Sequence, residues 1–121
     1  MEKKRLVLVV DDHPKVLRFI EIDLKLRGFE VITTTSGEEA LELVRSRKPD
    51  IMLLDIIMPG IDGLEVLKQL RAFSQLPVIA VSASPGERDN AMRLGAGDFV
   101  TKPFHPDDMA RRIKMALNHQ D

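Results

Sequence analysis

Short apolar runs, each bounded by polar or turn-forming residues, recur along this 121-residue chain. Runs of four or five such residues predict strands that are buried on both faces, as the strands of a parallel sheet are. We assign five strands in this way, over residues 6–10, 30–33, 51–54, 78–81 and about 98–101.

Between the strands the apolar residues follow helical spacing, and turn-forming residues mark the helix ends. The first helix begins near Pro14 and is stopped by Gly28. Ser36 and Glu39 form a capping box that opens the second helix, and Pro106 opens the last. The apolar residues that the last three helices hold are Leu64, Leu67 and Leu70, then Ala91, Met92 and Leu94, then Met109, Ile113, Ala116 and Leu117.

Five strands that alternate with five helices predict an α/β fold, in which helices cover both faces of a parallel sheet. A flavodoxin-like (βα)5 arrangement with strand order 2-1-3-4-5 is the natural choice for five strands. The length suits one domain with one core, so residues 1–121 are predicted to form a single domain.

Composition and charge argue against several classes of function. The formal net charge is −1 with both signs interspersed, so we do not expect this domain itself to bind nucleic acid. The chain has no cysteine, which excludes disulfides and thiolate chemistry. No apolar run approaches the roughly 20 residues that cross a bilayer. The apolar run after the basic residues 3–5 is also shorter than the core of a signal peptide, so we expect a cytoplasmic location without membrane contact.

Carboxylates follow two of the predicted strands, and a lysine follows a third. Asp11 and Asp12 come directly after the first strand, Asp55 after the third and Lys102 after the fifth. Because ligands of open α/β sheets bind outside the carboxyl ends of the strands, these side chains should converge at one edge. Mg²⁺ prefers oxygen ligands, and the backbone carbonyl of Ile57 could supply another. Each aspartate alone could equally be a helix cap or turn former, but the set favours a magnesium site.

Asp55 is the aspartate best placed to act as a nucleophile, because it follows the central strand and precedes a loop. A carboxylate can attack a phosphoryl group to form an aspartyl phosphate, with Mg²⁺ and Lys102 neutralising the equatorial oxygens. The hydroxyl of Ser82, directly after strand four, could donate a hydrogen bond to the phosphoryl group. His13 and His105 lie in loops, where we expect solvated side chains without a chemical role, and His105 could cap the last helix.

Four ordered motifs make the chain resemble the receiver domains of two-component response regulators. They are VVDD at 9–12, LDIIMPGIDG at 54–63, VSA at 81–83 and TKPF at 101–104, and the resemblance covers the whole chain. It implies a phosphorylation-activated signalling switch, in which Asp55 accepts a phosphoryl group from a sensor histidine kinase or phosphotransfer protein. The Mg²⁺ ligands that it implies are Asp11, Asp12, Asp55 and the backbone carbonyl of Ile57.

The resemblance also assigns roles around the phosphoryl group. Ser82 and Lys102 would bind it, and the Lys102–Pro103 peptide would be cis. Phe99 takes the place of the family's switch aromatic, which could rotate inward when Ser82 is drawn toward the phosphate, although a plain core or surface aromatic is the alternative. This switch would reshape the face of helix four, strand five and helix five. Ile57 occupies a position that influences phosphate lifetime, and its apolar side chain cannot orient an attacking water.

The region of the final helix resembles regulators that form homodimers through the face of helix four, strand five and helix five. A homodimer is therefore a further expectation, although Gly97 stands where those proteins usually have a second aspartate. The charged contacts would be Arg88, Arg93, Asp98, Arg111 and Arg112.

Two alternative functions stay open beside the switch. One is a phosphate-independent interaction module with the same fold. The other is an aspartyl-phosphate phosphatase, which would need a second aspartate where this chain has Ile57. We expect self-phosphorylation and dephosphorylation only, rather than an enzyme. We expect either a stand-alone receiver or a receiver that was cut from a longer regulator or a hybrid kinase.

Overall fold

Five parallel strands form one sheet in the order β2-β1-β3-β4-β5. The computed structural model describes residues 3–118. The expectation of a stand-alone or a longer natural protein concerns the chain ends and lies outside these residues. The strands are β1 (Leu6–Val10), β2 (Glu30–Thr34), β3 (Ile51–Asp55), β4 (Val78–Ser82) and β5 (Asp98–Thr101). This architecture and strand order confirm the α/β prediction.

Helices alternate with the strands, and those of the described segment are α1 (Pro14–Leu26), α2 (Gly37–Arg47), α3 (Gly63–Arg71), α4 (Arg88–Arg93) and α5 (Pro106–Asn118). A single 3₁₀ turn, Pro85–Glu87, leads into α4. No helix among residues 3–118 combines the length and the apolar character that crossing a membrane would require.

Side chains alternate along each strand, so the sheet buries a separate apolar cluster on each face. On β1, Leu8 and Val10 join the cluster under α2, α3 and α4, whereas Val7 and Val9 join the cluster under α1 and α5. Both faces of the central strands are therefore buried, which is why they read as uninterrupted apolar runs.

The strands that carry the polar residues end one residue later than the sequence predicted. Asp55 is the last residue of β3 and Ser82 the last of β4. Asp55 is paired in register with Val81, whose carbonyl accepts the Ile56 N–H at 2.9 Å. The hydrogen bonds between neighbouring strands thus fix the backbone as far as Asp55 and Ser82.

Capping residues set the helix ends close to their predicted positions. The hydroxyl of Ser36 accepts the Glu39 N–H at 3.1 Å, and Gly28 adopts a φ of +99° after α1. The sequence did not identify the α3 cap, where an Asp62 carboxylate oxygen accepts the Glu65 N–H at 3.0 Å.

Gly63 allows the start of α3 to lie directly against the backbone of Asp55. A Cβ at this position would lie 2.3 Å from the Asp55 carbonyl oxygen and 2.6 Å from Cα of Ile56. The Gly63 N–H also donates to the Ile56 carbonyl at 2.9 Å. The loop that follows Asp55 is therefore held against the sheet rather than free.

The fourth helix is the least embedded helix of the described residues. It has six residues, of which Ala91 alone is buried, and Met92 is 36 % exposed. Ala91 and Met92 lie in α4 as predicted, whereas Leu94 is the residue directly after the helix. A short helix with one buried residue gains little free energy from packing.

Candidate functional site

The carboxyl ends of β1 and β3 place two aspartates side by side. Val10 pairs with Leu54 in the parallel ladder, so Asp11 and Asp55 follow on adjacent strands. Lys102 follows β5, two strands away from β3, and its side chain reaches back to this pair. The convergence predicted from the sequence is therefore present.

Lys102 bridges the two aspartates. Its Nζ donates to Oδ2 of Asp11 at 2.7 Å and to Oδ2 of Asp55 at 3.1 Å. The two carboxylate side chains are only 4 % and 5 % exposed, and the lysine is 20 % exposed. Buried charges need such partners, since an unpaired one loses its hydration without compensation.

The electrostatic balance of the site opposes ionisation of Asp55. Burial raises the pKa of the Asp55 carboxyl, the hydrogen bond and charge of Lys102 lower it, and the charge of Asp11 raises it, with a net shift upward. Burial by itself lowers the pKa of Lys102, but its contacts with Asp11 and Asp55 outweigh burial and raise it. Lys102 is thus held as an ammonium, while Asp55 carries an energetically costly negative charge.

The second carboxylate oxygens are the atoms available to a metal ion. Oδ1 of Asp11 accepts the His13 N–H at 2.9 Å, and Oδ1 of Asp55 accepts the Ile57 N–H at 3.2 Å. Oδ1 of Asp12 is buried without a hydrogen bond, the one such side-chain atom in the described part of the chain. Ligand atoms from these aspartates and His13 lie within 4.8 Å of one another. An oxygen-rich group with an unpaired buried acceptor fits Mg²⁺, which takes carboxylates and waters.

Ser82 lies at the same edge of the sheet but is not joined to the aspartates. Its side chain is completely buried, and Oγ accepts the Ser84 N–H at 3.0 Å. The Ser82 carbonyl accepts the Lys102 N–H at 2.8 Å, which ties the end of β4 to the lysine. The Lys102–Pro103 peptide is cis, as the family resemblance implied.

His13 is the site residue that the sequence analysis set aside. Its ring is 66 % exposed, yet Nδ1 lies 3.1 Å from Oδ1 of Asp11 and 3.1 Å from Oδ1 of Asp12. The high exposure agrees with the expected solvated side chain. The position of the ring over both carboxylates, which arises because the residue directly after Asp12 folds back, was not predicted from the sequence. His105 behaves as expected, since its Nδ1 accepts the Asp107 N–H at 3.1 Å at the start of α5.

Phe99 is already packed inside the protein. It is 5 % exposed and belongs to the apolar cluster that contains Ala80, Ala91 and Ala96. The ring of Phe99 on β5 thus lies in the same buried cluster as these three small side chains. The inward rotation that the sequence suggested therefore does not start from this conformation, in which the ring is already inside.

Comparison with known proteins identifies the family. The model of the response regulator receiver domain matches residues 7–114, and the chain belongs to this family. The alkaline phosphatase synthesis transcriptional regulatory protein PhoP of Bacillus subtilis is 39 % identical over 124 aligned residues that include the whole chain. The transcriptional regulatory protein KdpE of Mycobacterium tuberculosis is 41 % identical over 114 residues, or 93 % of the chain.

The chain spans about half the length of these curated relatives, 51 % for PhoP and 50 % for KdpE. A solved structure of matching length is the receiver domain of the Francisella response regulator 1452. The two superpose with a TM-score of 0.91 at 31 % identity, over 98 % of this chain and all of the other. The family assignment is consistent with a switch that phosphorylation activates.

The raised pKa of Asp55 predicts that Asp55→Asn stabilises the metal-free protein. A carboxyl whose pKa is raised by folding opposes folding once it is ionised, so the cost is present at pH 7 and absent below the ordinary aspartate pKa of about 3.9. We expect the free energy of unfolding in urea to be higher for the variant than for the parent protein at pH 7, and the difference to shrink toward pH 3.

Glu42→Gln is the matched control, because it removes one negative charge from an exposed position of α2. Its free energy of unfolding should change by less than about 0.5 kcal/mol. A variant at Asp55 that is less stable than the parent protein at pH 7 would contradict this interpretation of the site.

Proposed function

We propose that Asp55 accepts a phosphoryl group from a phosphohistidine of a sensor histidine kinase or phosphotransfer protein. A carboxylate oxygen of Asp55 forms a bond to phosphorus while the bond from phosphorus to the donor imidazole nitrogen breaks. The imidazole leaves with that electron pair and takes up a proton. The observation that carries the proposal is a buried Asp55 carboxylate bonded to Lys102 beside two further aspartates.

We propose that Asp11, Asp12 and Asp55, with the Ile57 carbonyl, hold Mg²⁺ at this site. Bound Mg²⁺ would supply positive charge next to the oxygens that gain negative charge during transfer. The unpaired Oδ1 of Asp12 supports this assignment, since a buried acceptor without a donor is satisfied by a cation.

Lys102 would keep its position and change its partner during transfer. Its ammonium lies 3.1 Å from Oδ2 of Asp55, so it is close to any phosphoryl group attached to that carboxylate. It would then pair with a phosphoryl oxygen while Asp11 keeps the other contact at 2.7 Å. The charge of Lys102 thus stabilises both the free and the phosphorylated site.

Ser82 would link the phosphoryl group to the fourth helix. Its Oγ accepts the Ser84 N–H, and its hydroxyl proton stays available for a phosphoryl oxygen. A shift of Ser82 toward the phosphate would pull on the 3₁₀ turn that leads into α4. Phe99 belongs to the buried cluster that also contains Ala91 of α4. We propose that Ser82 and Phe99 form the switch that changes the face of α4, β5 and α5.

A groove of about 410 Å³ beside Lys102 suits a macromolecular phosphoryl donor. Its lining is mostly apolar and includes Val16, Phe19, Ala83 and Phe104, with Phe19 more than half exposed. An exposed apolar surface next to a reacting group is typical of a protein docking site. The relatives are named as transcriptional regulators and are about twice as long, so we propose that the switch controls a partner or an output domain.

The switch accounts for the site better than the alternatives do. A phosphatase would need a titratable group where Ile57 stands, so we propose self-phosphorylation and dephosphorylation without a separate substrate. A phosphate-independent module would have no use for the buried pairing of Lys102 with Asp11 and Asp55, which costs desolvation energy.

Intact-mass analysis after incubation with acetyl phosphate and Mg²⁺ tests the proposal. We expect the parent protein to gain one phosphoryl group, because acetyl phosphate is a small donor that needs no docking surface. Asp55→Asn and a metal-free sample should gain none, whereas Asp89→Asn, at an exposed position of α4, should gain the group as the parent does. Phosphorylation of Asp55→Asn would contradict the proposal, as would a parent that gains nothing and binds no beryllofluoride.

The side chain of Ile57 predicts a long-lived phosphate. It is 57 % exposed at the mouth of the site and cannot hydrogen-bond to water. We expect Ile57→Asn to hydrolyse its aspartyl phosphate several-fold faster, because an amide can orient the attacking water. Decay of the phosphorylated mass after removal of the donor measures the rate. Ile22→Asn, the same change at an exposed position of α1, should leave it unaltered, and equal rates for all three proteins would refute the idea.

We propose homodimerisation through the face of α4, β5 and α5 as a consequence of activation. In the single chain Arg112 already pairs with Asp98 at 2.8 Å and with Asp108 at 2.9 Å, and Arg111 pairs with Asp108. Dimerisation by charge would therefore need these ion pairs to exchange partners. Met115 is an exposed apolar residue on the same helix that can contribute contact area.

Sedimentation velocity with Mg²⁺ and beryllofluoride tests the dimer. We expect the parent protein to shift toward the dimer on activation and Met115→Lys to stay monomeric, because the new charge would be buried without a partner. Leu26→Lys likewise replaces an exposed apolar residue by lysine, at the end of α1, and should dimerise like the parent. Dimerisation of Met115→Lys, or no shift in the parent, would exclude this interface.

A further inference from the structure

His13 makes a contact that phosphoryl transfer does not require. Its Nδ1 lies 3.1 Å from Oδ1 of Asp11 and 3.1 Å from Oδ1 of Asp12, at the outer side of the acidic group. In the proposed transfer Lys102 pairs with the Oδ2 atoms of Asp11 and Asp55, and the three aspartates hold Mg²⁺ with the Ile57 carbonyl; neither role assigns a function to the His13 imidazole. The imidazole therefore needs a separate explanation.

A hydrogen bond explains the contact of the His13 ring with Asp11 but not its contact with Asp12. Nδ1 has hydrogen-bond geometry toward Asp11, whose Oδ1 also accepts the His13 backbone N–H at 2.9 Å. Oδ1 of Asp12 has no hydrogen bond at all, although Nδ1 is equally close to it. The ring nitrogen thus faces two carboxylate oxygens, and one of them stays unsatisfied.

The two distances from Nδ1 to these oxygens match those between neighbouring ligands of one metal ion. In an octahedral complex with bonds of about 2.1 Å, adjacent ligand atoms lie about 3.0 Å apart, close to both distances at Nδ1. A cation between them would also satisfy the buried oxygen of Asp12. The nitrogen is free to coordinate when the ring proton is on Nε2, which suits a ring whose surface is mostly exposed to water.

We infer that Nδ1 of His13 is a ligand of the bound metal beside Asp11 and Asp12, and that the site therefore favours divalent ions that accept imidazole nitrogen. This inference rests on the proposed metal site and deepens it. Mg²⁺ prefers oxygen ligands and keeps its waters, whereas Ni²⁺ and related transition-metal ions bind imidazole strongly. His13 would thus make the chain more selective for such ions than an all-oxygen site would be.

Separate calorimetric titrations with Ni²⁺ and with Mg²⁺ at one pH test the inference. We expect His13→Gln to lose affinity for Ni²⁺ on the order of tenfold, while its affinity for Mg²⁺ changes far less. The matched control is His105→Gln combined with His119→Gln, which removes the other two histidines of the chain and should retain the Ni²⁺ affinity of the parent at this site. Equal losses for both ions would mean that His13 only positions Asp11, and unchanged Ni²⁺ affinity would mean that it has no role. Either result overturns the inference.

A spectroscopic measurement identifies the ligand directly. The Mn²⁺-loaded parent protein should show electron-spin-echo modulation from a coordinated imidazole nitrogen, and His13→Gln should not. A parent spectrum without nitrogen modulation would overturn the inference as well. Failure here is distinguishable from failure of the proposed function, because phosphorylation of the parent on Asp55 with Mg²⁺ is measured independently. A parent that is phosphorylated but shows no dependence of Ni²⁺ binding on His13 would refute only the role of His13.

Discussion

The ammonium of Lys102 lies between two buried carboxylates, and the rest of the site depends on this contact. Asp11, Asp12 and Asp55 converge because the carboxyl ends of parallel strands meet at one edge, and one lysine does not balance three carboxylates. Burial, together with the charge of Asp11, raises the pKa of Asp55 despite Lys102, and an oxygen of Asp12 has no hydrogen-bond partner. A divalent cation would supply the missing charge, and a phosphoryl group, which adds further negative charge, would make that cation more necessary still.

The sequence predicted the fold well because the sheet is buried on both faces. Each central strand then appears in the sequence as an apolar run, and each helix between strands appears as apolar residues at helical spacing. The ends of β3 and β4 were harder to place, since Asp55 and Ser82 are polar and still belong to the ladder. Hydrogen bonds of the backbone, rather than the character of the side chain, decide where these strands end.

Within the site, the sequence predicted which residues converge better than it predicted their contacts. The topology alone brings Lys102 to Asp11 and Asp55. The position of His13 depends on the backbone turn into α1 and on a side-chain rotamer, neither of which has a sequence signal beyond adjacency to Asp12. The inward position of Phe99 likewise depends on tertiary packing, since its buried cluster joins residues of β4, α4 and the loop that follows α4.

The uneven packing of the helices suggests how a local charge change is transmitted. The start of α3 is fixed against the backbone of Asp55, because Gly63 allows a close approach that a side chain would block. By contrast, α4 has a single buried residue and is joined to the site through the hydroxyl of Ser82 and the amide of Ser84. A small free-energy difference at the phosphoryl group can shift only elements whose own packing energy is small. Among the described helices, α4 is therefore the one that a change at Asp55 would shift most easily under the proposed switch, while α3 holds the loop after Asp55 in place.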